Sequence, residues 1–251
     1  YIDGKQVLPA DPSLAGYRAD DGSGAVRLSV VADVVPISDA GERLVEIGTG
    51  WGGFAIHAAQ HYGVHVTTTT ISRRQHELAA QRIQAAGLNE RVTLLLDDYR
   101  DLRGQYDKLV SIEMIEAIGH QYLDTYFRKV SDLLKDDGLA LIQAITIEDH
   151  RYERALGDID FIKRYIFPGS FIPSVGAMTG AIARSSNLRL THLEDIGPSY
   201  ARTLRAWHDR FLAALPQVRA QGHSEAFIRM WRRYLAYCEG GFLERSIVDV
   251  H

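Results

Sequence analysis

The chain has 251 residues, enough to bury a full core as one large domain or as one domain with a subdomain. Its composition, 46% hydrophobic and 24% charged, is that of an ordinary globular protein, and a formal net charge of −4 with no long run of one sign argues against broad nucleic-acid binding. A single cysteine, Cys238, excludes an internal disulfide framework and fits a reducing compartment; no apolar stretch is long enough to span a bilayer and no signal peptide opens the chain, so a soluble, cytoplasmic protein is expected.

Residues 1–25 are rich in Gly, Asp and Pro without sustained period and read as an irregular N-terminal remnant, with segments missing from it. From Val26 to Val35 apolar residues recur at helical spacing. Arg43 to Ile47 is a short buried-strand signal that runs into the glycines of Gly48-Thr49-Gly50-Trp51-Gly52-Gly53. A helix is predicted over Phe54 to Tyr62, and a strand over the β-branched Val64 to Thr70. Ser72 is placed to cap the next helix, Arg73 to Ala86, which Gly87 ends. Strands at Val92 to Leu96, Tyr106 to Ser111 and Leu139 to Ile145, with a helix around Tyr122 to Leu134, complete the alternation. Strand-helix alternation at this length implies a doubly wound α/β fold, a mostly parallel sheet with helices on both faces. Residues 149–189 break the rhythm and read as an insertion covering the site; Leu204 to Leu215 and Glu225 to Tyr237 are helical.

The strand-turn-helix from Glu46 to Gly53 is the first functional signal. Glycines let the backbone turn tightly and approach a ligand, and the helix start offers free N–H groups. Gly48, Gly50 and Gly53 also satisfy G-x-G-x-x-G, so a dinucleotide site must be weighed. Two features oppose it. Glu46, two residues before the first glycine, suits the ammonium group of an amino-acid cofactor. The acid that would bind a nicotinamide nucleotide's ribose after the second strand is missing, for Val66 to Ser72 carries only hydroxyls. The plain alternative is a tight strand-to-helix connection that binds nothing.

Five blocks in order, Glu46 to Gly53 (EIGTGWGG), Thr70 to Gln75 (TISRRQ), Asp98 to Leu102 (DYRDL), Ser111 to Gly119 (SIEMIEAIG) and Arg164 to Gly169 (RYIFPG), together resemble the cyclopropane-fatty-acid and mycolic-acid cyclopropane synthases. The resemblance implies a Rossmann-like class I methyltransferase domain over residues 26–251, with S-adenosyl-L-methionine as cofactor. It places the methionine part against Glu46, Gly48, Gly50 and Gly52, the ribose and adenine against Thr70, Ile71 and Gln75, and the adenine's edge and face beside Asp98 and Tyr99. On residue type alone, Asp98 is a solvated loop acid and Tyr99 a core aromatic.

Methylating an alkene requires no base before transfer, but it leaves a carbocation that must be held and then deprotonated. Such a site needs an apolar slot, aromatic faces and a weak base kept from bulk water. Glu116, Tyr165, Phe167 and Tyr200 are of the right types, although each alone reads as structural. The family is similar in using a bound bicarbonate as the base, held by a Glu, a His, a Tyr and an early Cys. Glu116 and Tyr200 match two of these; Gln143 stands at the His position and can donate a hydrogen bond but carry no proton. The expected outcome is that Glu116, Gln143 and Tyr200 converge on one small anion.

The early Tyr-Ser-Cys motif is absent, while the opening Tyr1-Ile2-Asp3-Gly4 resembles part of the N-terminal domain of longer members. With Gln143, the blocks are most similar to the tuberculostearic-acid-type methyltransferases, which make branched rather than cyclopropane chains. The implied partners are an unsaturated phospholipid acyl chain and the inner face of a membrane, touched peripherally, with no nucleic acid. Cys238 has no His or Lys within four residues to activate it and reads as structural, and the histidines show no metal-ligand spacing, so no metal is expected. A small-molecule N- or O-methyltransferase, a nicotinamide-dependent oxidoreductase and a non-catalytic lipid-binding relative remain as other readings.

Overall fold

The computed structural model describes residues 41–251; the helix expected over Val26 to Val35 and the N-terminal remnant lie outside the described residues. Six strands form one sheet in the order β3-β2-β1-β4-β5-β6: β1 (Arg43–Ile47), β2 (His65–Thr69), β3 (Val92–Leu95), β4 (Tyr106–Ile112), β5 (Leu134–Ile147) and β6 (Ile247–Val250). All pairings are parallel except that of β6 with β5.

The sheet is buried on both faces, so its strands are apolar runs rather than alternating ones. In β1, Leu44 packs with Phe54, Ala55, Val66 and Ile83 beneath α1 (Gly53–Tyr62) and α2 (Arg73–Ala85). Its neighbours Val45 and Ile47 pack on the other face with Tyr126, Phe127 and Leu133 of α3 (Leu123–Leu133). Ser72 caps α2, accepting a hydrogen bond from the Gln75 amide, as its position predicted.

After β5 the chain forms α4 (Asp149–Gly157), α5 (Phe161–Tyr165) and α6 (Val175–Ser185). Then α7 (Gly197–Ala213), α8 (Leu215–Ala220) and α9 (Glu225–Leu243) build a third apolar cluster from Tyr200, Leu204, Phe211, Leu235 and Phe242. Two strands differ from the sequence pattern. Strand β5 begins at Leu134, five residues earlier than predicted, because Leu134 pairs with Tyr106 across a register shift despite the charged Lys135-Asp136-Asp137 between. Strand β6 was not predicted, since four residues give too little pattern to read. Among the described residues, no helix is long and apolar enough to cross a membrane.

Phe242 joins this third cluster to the sheet's edge. Its ring stacks on Tyr200 with centroids 4.6 Å apart, and it is buried. Phe242→Ala should destabilise the protein by about 3–5 kcal/mol, read as a lower denaturant midpoint at unchanged slope.

Candidate active site

The ends of β1, β2, β3 and β4 open on the same edge of the sheet, where parallel folds place their ligands. The glycine turn follows β1. Gly48, Gly50 and Gly52 all have positive φ, at 102°, 52° and 81°. A Cβ on Gly48 would lie 3.1 Å from Met114 Cγ and one on Gly52 3.2 Å from Ala79, so those two positions are tied to packing. A Cβ on Gly50 would meet nothing within 4 Å. Its left-handed backbone therefore borders open space, a cradle that a side chain would fill. The turn is held by the Thr69 carbonyl, which accepts from the amides of Gly48 and Thr49, and by Arg82, which donates to the Trp51 carbonyl. With glycine as its N-cap, α1 has no side chain to satisfy its first N–H groups, which leaves them for a ligand.

Glu46, at the penultimate position of β1, is buried beside this turn. Thr68 donates to its Oε2 at 2.6 Å, and Thr49 in turn lies 2.7 Å from the Thr68 hydroxyl. Burial pushes the carboxyl up to about 8, with the Thr68 hydrogen bond only partly opposing it. A cationic ligand group would reverse that shift.

The residues expected around a nucleoside lie on the same edge. Thr70 donates to Gln75 Oε1 at 2.7 Å and accepts from the Ser72 amide, while the Ile71 side chain is 78% exposed beside them. Asp98 is engaged by Arg100, which reaches it through its backbone amide and two guanidinium nitrogens, and this holds its carboxyl below the usual range. Tyr99 is half-buried and edge-on to Tyr126 at 5.7 Å, the packing of a core aromatic.

The second polar centre forms where β4, β5, β6 and α7 meet, and the residue at its middle was not singled out from the sequence. Glu113, the first residue after β4, has φ 49°, a conformation uncommon for a side chain other than glycine, asparagine or aspartate. Tyr200 donates to its Oε2 at 2.8 Å and Gln143 to its Oε1 at 3.0 Å. The same Gln143 nitrogen donates to Asp249 Oδ2 at 2.8 Å. Gln143 and Tyr200 thus converge as expected, but on the Glu113 carboxylate.

Glu116 sits one 3₁₀ turn further on. Its Oε1 accepts from the Ile145 amide at 2.6 Å, and its buried Oε2 has no hydrogen-bond partner. Burial, reinforced by the charge of Glu113, pushes Glu116 up to about 8, and burial also raises Glu113 against the opposing bonds from Tyr200 and Gln143. Among the described residues no Lys, Arg or His forms an ion pair with either carboxylate.

Tyr165 is not part of this centre. It is 57% exposed on α5, its ring beside Phe161. Cys238 is partly buried, and burial with the nearby charges of Asp160 and Glu113 pushes its thiol up to about 12, the opposite of an activated nucleophile. His192, Glu194 and His251 bring ligand atoms within 4.8 Å of one another, a grouping that the sequence spacing did not suggest.

Residues 27–251 match the mycolic acid cyclopropane synthetase family. The chain belongs to this family. It is 43% identical over 211 residues to the tuberculostearic acid methyltransferase UfaA1 of Mycobacterium tuberculosis, covering 84% of this chain and 49% of that protein. It is 41% identical to the cyclopropane-fatty-acyl-phospholipid synthase of Escherichia coli, covering 82% of this chain and 51% of that one. The chain thus spans about half the length of these relatives. The mycolic acid cyclopropane synthase CmaA1, solved with SAH and CTAB, superposes with a TM-score of 0.80 at 26% identity, covering 97% of this chain and 90% of that one. The cyclopropane synthase MmaA2 from Mycobacterium tuberculosis, at 22% identity and a TM-score of 0.86, shares the fold over 100% of this chain and 92% of that one.

The burial of Glu46 has a consequence for the ligand-free protein. A carboxyl that is harder to ionise in the folded state than in the unfolded chain contributes no penalty at low pH. It destabilises progressively as pH rises from the ordinary value of 4.5 to about 8. Wild-type stability should fall across that window, and Glu46→Gln should flatten the fall in denaturant titrations run at several pH values; an unchanged slope would contradict a buried Glu46.

Proposed function

We propose that this family member uses S-adenosyl-L-methionine to methylate the double bond of an unsaturated, phospholipid-bound acyl chain, with Glu113 taking the proton that must then leave. The observation that carries the reading is a cation-free buried carboxylate, clamped by Tyr200 and Gln143, on the sheet edge that also carries the glycine turn. The acyl substrate is supported by similarity: two relatives above 40% identity are named for a fatty-acid methyltransferase and a fatty-acyl-phospholipid synthase. Contact with a membrane surface follows from that substrate.

The cofactor fits the residues present. The open cradle at Gly50 and the uncapped start of α1 suit an amino-acid carboxylate, and Glu46 suits its ammonium. Thr70, Ile71 and Gln75 border the ribose and adenine in this reading, beside Asp98 and Tyr99. Once bound, S-adenosyl-L-methionine supplies an electrophilic methyl group.

Bonding of the alkene's π electrons to that methyl carbon, with the carbon–sulfur bond breaking and its electrons leaving on the sulfur of S-adenosylhomocysteine, would leave the adjacent carbon cationic. Glu113, anionic and within a site of low polarity, stabilises that charge through space and accepts a proton on one of its Oε atoms. A free carboxylate could instead trap the cation as an ester. Each Glu113 oxygen already accepts a hydrogen bond, which lowers its nucleophilicity. Burial raises both Glu116 and Glu113, and Glu113 is the one held by two side-chain donors, which favour its charged form.

A separate bicarbonate does not suit this arrangement. The donors expected to hold it are engaged: the Gln143 amide nitrogen donates to Glu113 and Asp249, and the Tyr200 hydroxyl donates to Glu113. A further anion would add charge beside a carboxylate that burial already disfavours.

Glu113→Gln should lower kcat by about 10²–10⁴-fold and leave cofactor affinity nearly unchanged. Because the base must be deprotonated, wild-type kcat should fall as pH is lowered through a value above the ordinary carboxyl range, and Glu113→Gln should lose that limb. Lipid mass spectrometry, reading the gain of one methylene unit on unsaturated chains, measures turnover. Full activity of Glu113→Gln in carbonate-free buffer would refute the assignment.

Cofactor binding should also release a proton near pH 7, because an ammonium group lowers the raised Glu46 value. Calorimetry in buffers of different ionisation enthalpy reads this directly. In Glu46→Gln the release should vanish and affinity should drop roughly 10- to 150-fold, the size of one charge-assisted hydrogen bond.

A further inference from the structure

Helix α5 and the second half of α9 share a face made of aromatic rings and arginines. The Phe161 ring lies 5.8 Å from Tyr165 and 6.0 Å from Tyr237, and Phe167 lies 5.9 Å from Tyr234. Phe161 and Tyr234 are half-buried and join the two helices. The outer members of the set stay exposed: Tyr165 at 57%, Phe167 at 50%, Tyr237 at 48%, and Ile159, just before α5, at 76%.

Arginines surround these side chains. Arg164 lies over the Tyr165 ring at 5.6 Å and Arg233 over Phe161 at 5.0 Å, and Arg229 and Arg232 are exposed on the preceding turn of α9. Among the described residues none of the four forms an ion pair. Asp158 pairs with Arg154 and Glu225 with Arg219, while Asp160 caps α5 at the edge of this face, where its charge reaches Tyr237.

The face is coupled to the acid centre. Cys238, adjacent to Tyr237, is near enough to both Asp160 and Glu113 for their charges to raise its thiol. The segment after Phe167 reaches the loop of Glu116, where the Phe171 amide donates to the Glu116 carbonyl at 3.0 Å.

We propose that this face docks the protein on anionic phospholipid bilayers and presents the site to acyl chains there. The proposal rests on a phospholipid-bound chain being the substrate. Tyrosine and phenylalanine rings gain by entering the headgroup boundary, and guanidinium groups pair with lipid phosphate while their stems stay against the rings. An acidic protein partner would use the same rings and arginines, but it would not bring the site to the phospholipid-bound chain of the proposed reaction. That substrate favours the bilayer.

The test is co-sedimentation of the full chain with vesicles of phosphatidylcholine alone and of phosphatidylcholine with phosphatidylglycerol. Binding should be at least tenfold tighter to the mixed vesicles and should weaken steeply with salt. Arg229→Glu/Arg233→Glu and Ile159→Ser/Tyr237→Ser should each weaken it at least tenfold. Both variants should keep wild-type turnover on unsaturated phospholipid dispersed in nonionic detergent micelles.

Hydrogen exchange of the wild-type protein, with and without mixed vesicles, reads the same surface without any substitution. Slowed exchange over residues 159–167 and 229–237 is expected. Equal binding to both vesicle types, no loss in either folded variant, protection elsewhere, or an acidic carrier protein bound through the arginines in place of vesicles would overturn the proposal. Absent methyl transfer by wild type in micelles, with vesicle binding as described, would instead bring down the functional reading and leave the docking surface standing.

Discussion

The Gln143 amide stands between two carboxylates, Glu113 and Asp249, and the polar half of this protein depends on that contact. Burying a carboxylate without a cation costs several kcal/mol unless hydrogen bonds hold it. Here two side chains donate to Glu113, and a third, Asp249, accepts from one of them. Gln143 lies on β5, in register with Ile112 at the end of β4, and Tyr200 lies on α7. Asp249 lies on β6, paired with Ile145. The centre therefore exists only when the C-terminal helices and the antiparallel edge strand are in place. That gives α7, α9 and β6 a role beyond covering the sheet: Phe242 of α9 stacks on Tyr200, and Tyr200 holds Glu113.

Glu113 is held under strain as well as by hydrogen bonds. A positive φ on a glutamate is locally unfavourable and persists only when the surroundings over-determine it. Its backbone amide donates to the Gln143 carbonyl at 2.9 Å, so the residue is fixed to β5 through both main chain and side chain. A base placed this way changes position little as charge develops next to it, which is the condition for electrostatic stabilisation without reorganisation.

The parallel sheet was legible because its strands are β-branched or apolar throughout and its turns carry glycine. Val64 to Thr70 and the Ser72 cap are examples, and both lie where the pattern put them to within a residue. Strand β6 and helix α6 were not legible. The first is four residues long, and the second, rich in Gly and Ala, lacks a strong apolar stripe. The acid centre was half legible. Gln143 and Tyr200 were singled out and do meet, yet the acid they meet is three residues before the one expected. Two glutamates three apart after a strand, Glu113 and Glu116, offer the same chemistry to a reader of sequence. The left-handed backbone that turns Glu113 toward β5 has no sequence signature, since the residue carrying it is not a glycine.

The two buried acids at the sheet edge, Glu46 and Glu113, share one physical device and divide the work. Each is raised by burial, and each keeps hydrogen-bond donors that favour its charged form. What differs is the charge each awaits. Glu46 faces a turn shaped for an amino-acid ligand, where a permanent cation would draw its proton off and fix it as an anion. In the proposed reaction Glu113 would meet a cation that exists only transiently. Between such events no cation of the protein competes for it, because no Lys, Arg or His pairs with it among the described residues. A lysine or arginine in that position would neutralise the charge on which the proposed deprotonation depends. Burial of Glu113 without a cation is thus a cost met by hydrogen bonds, placed where β4, β5, β6 and α7 meet.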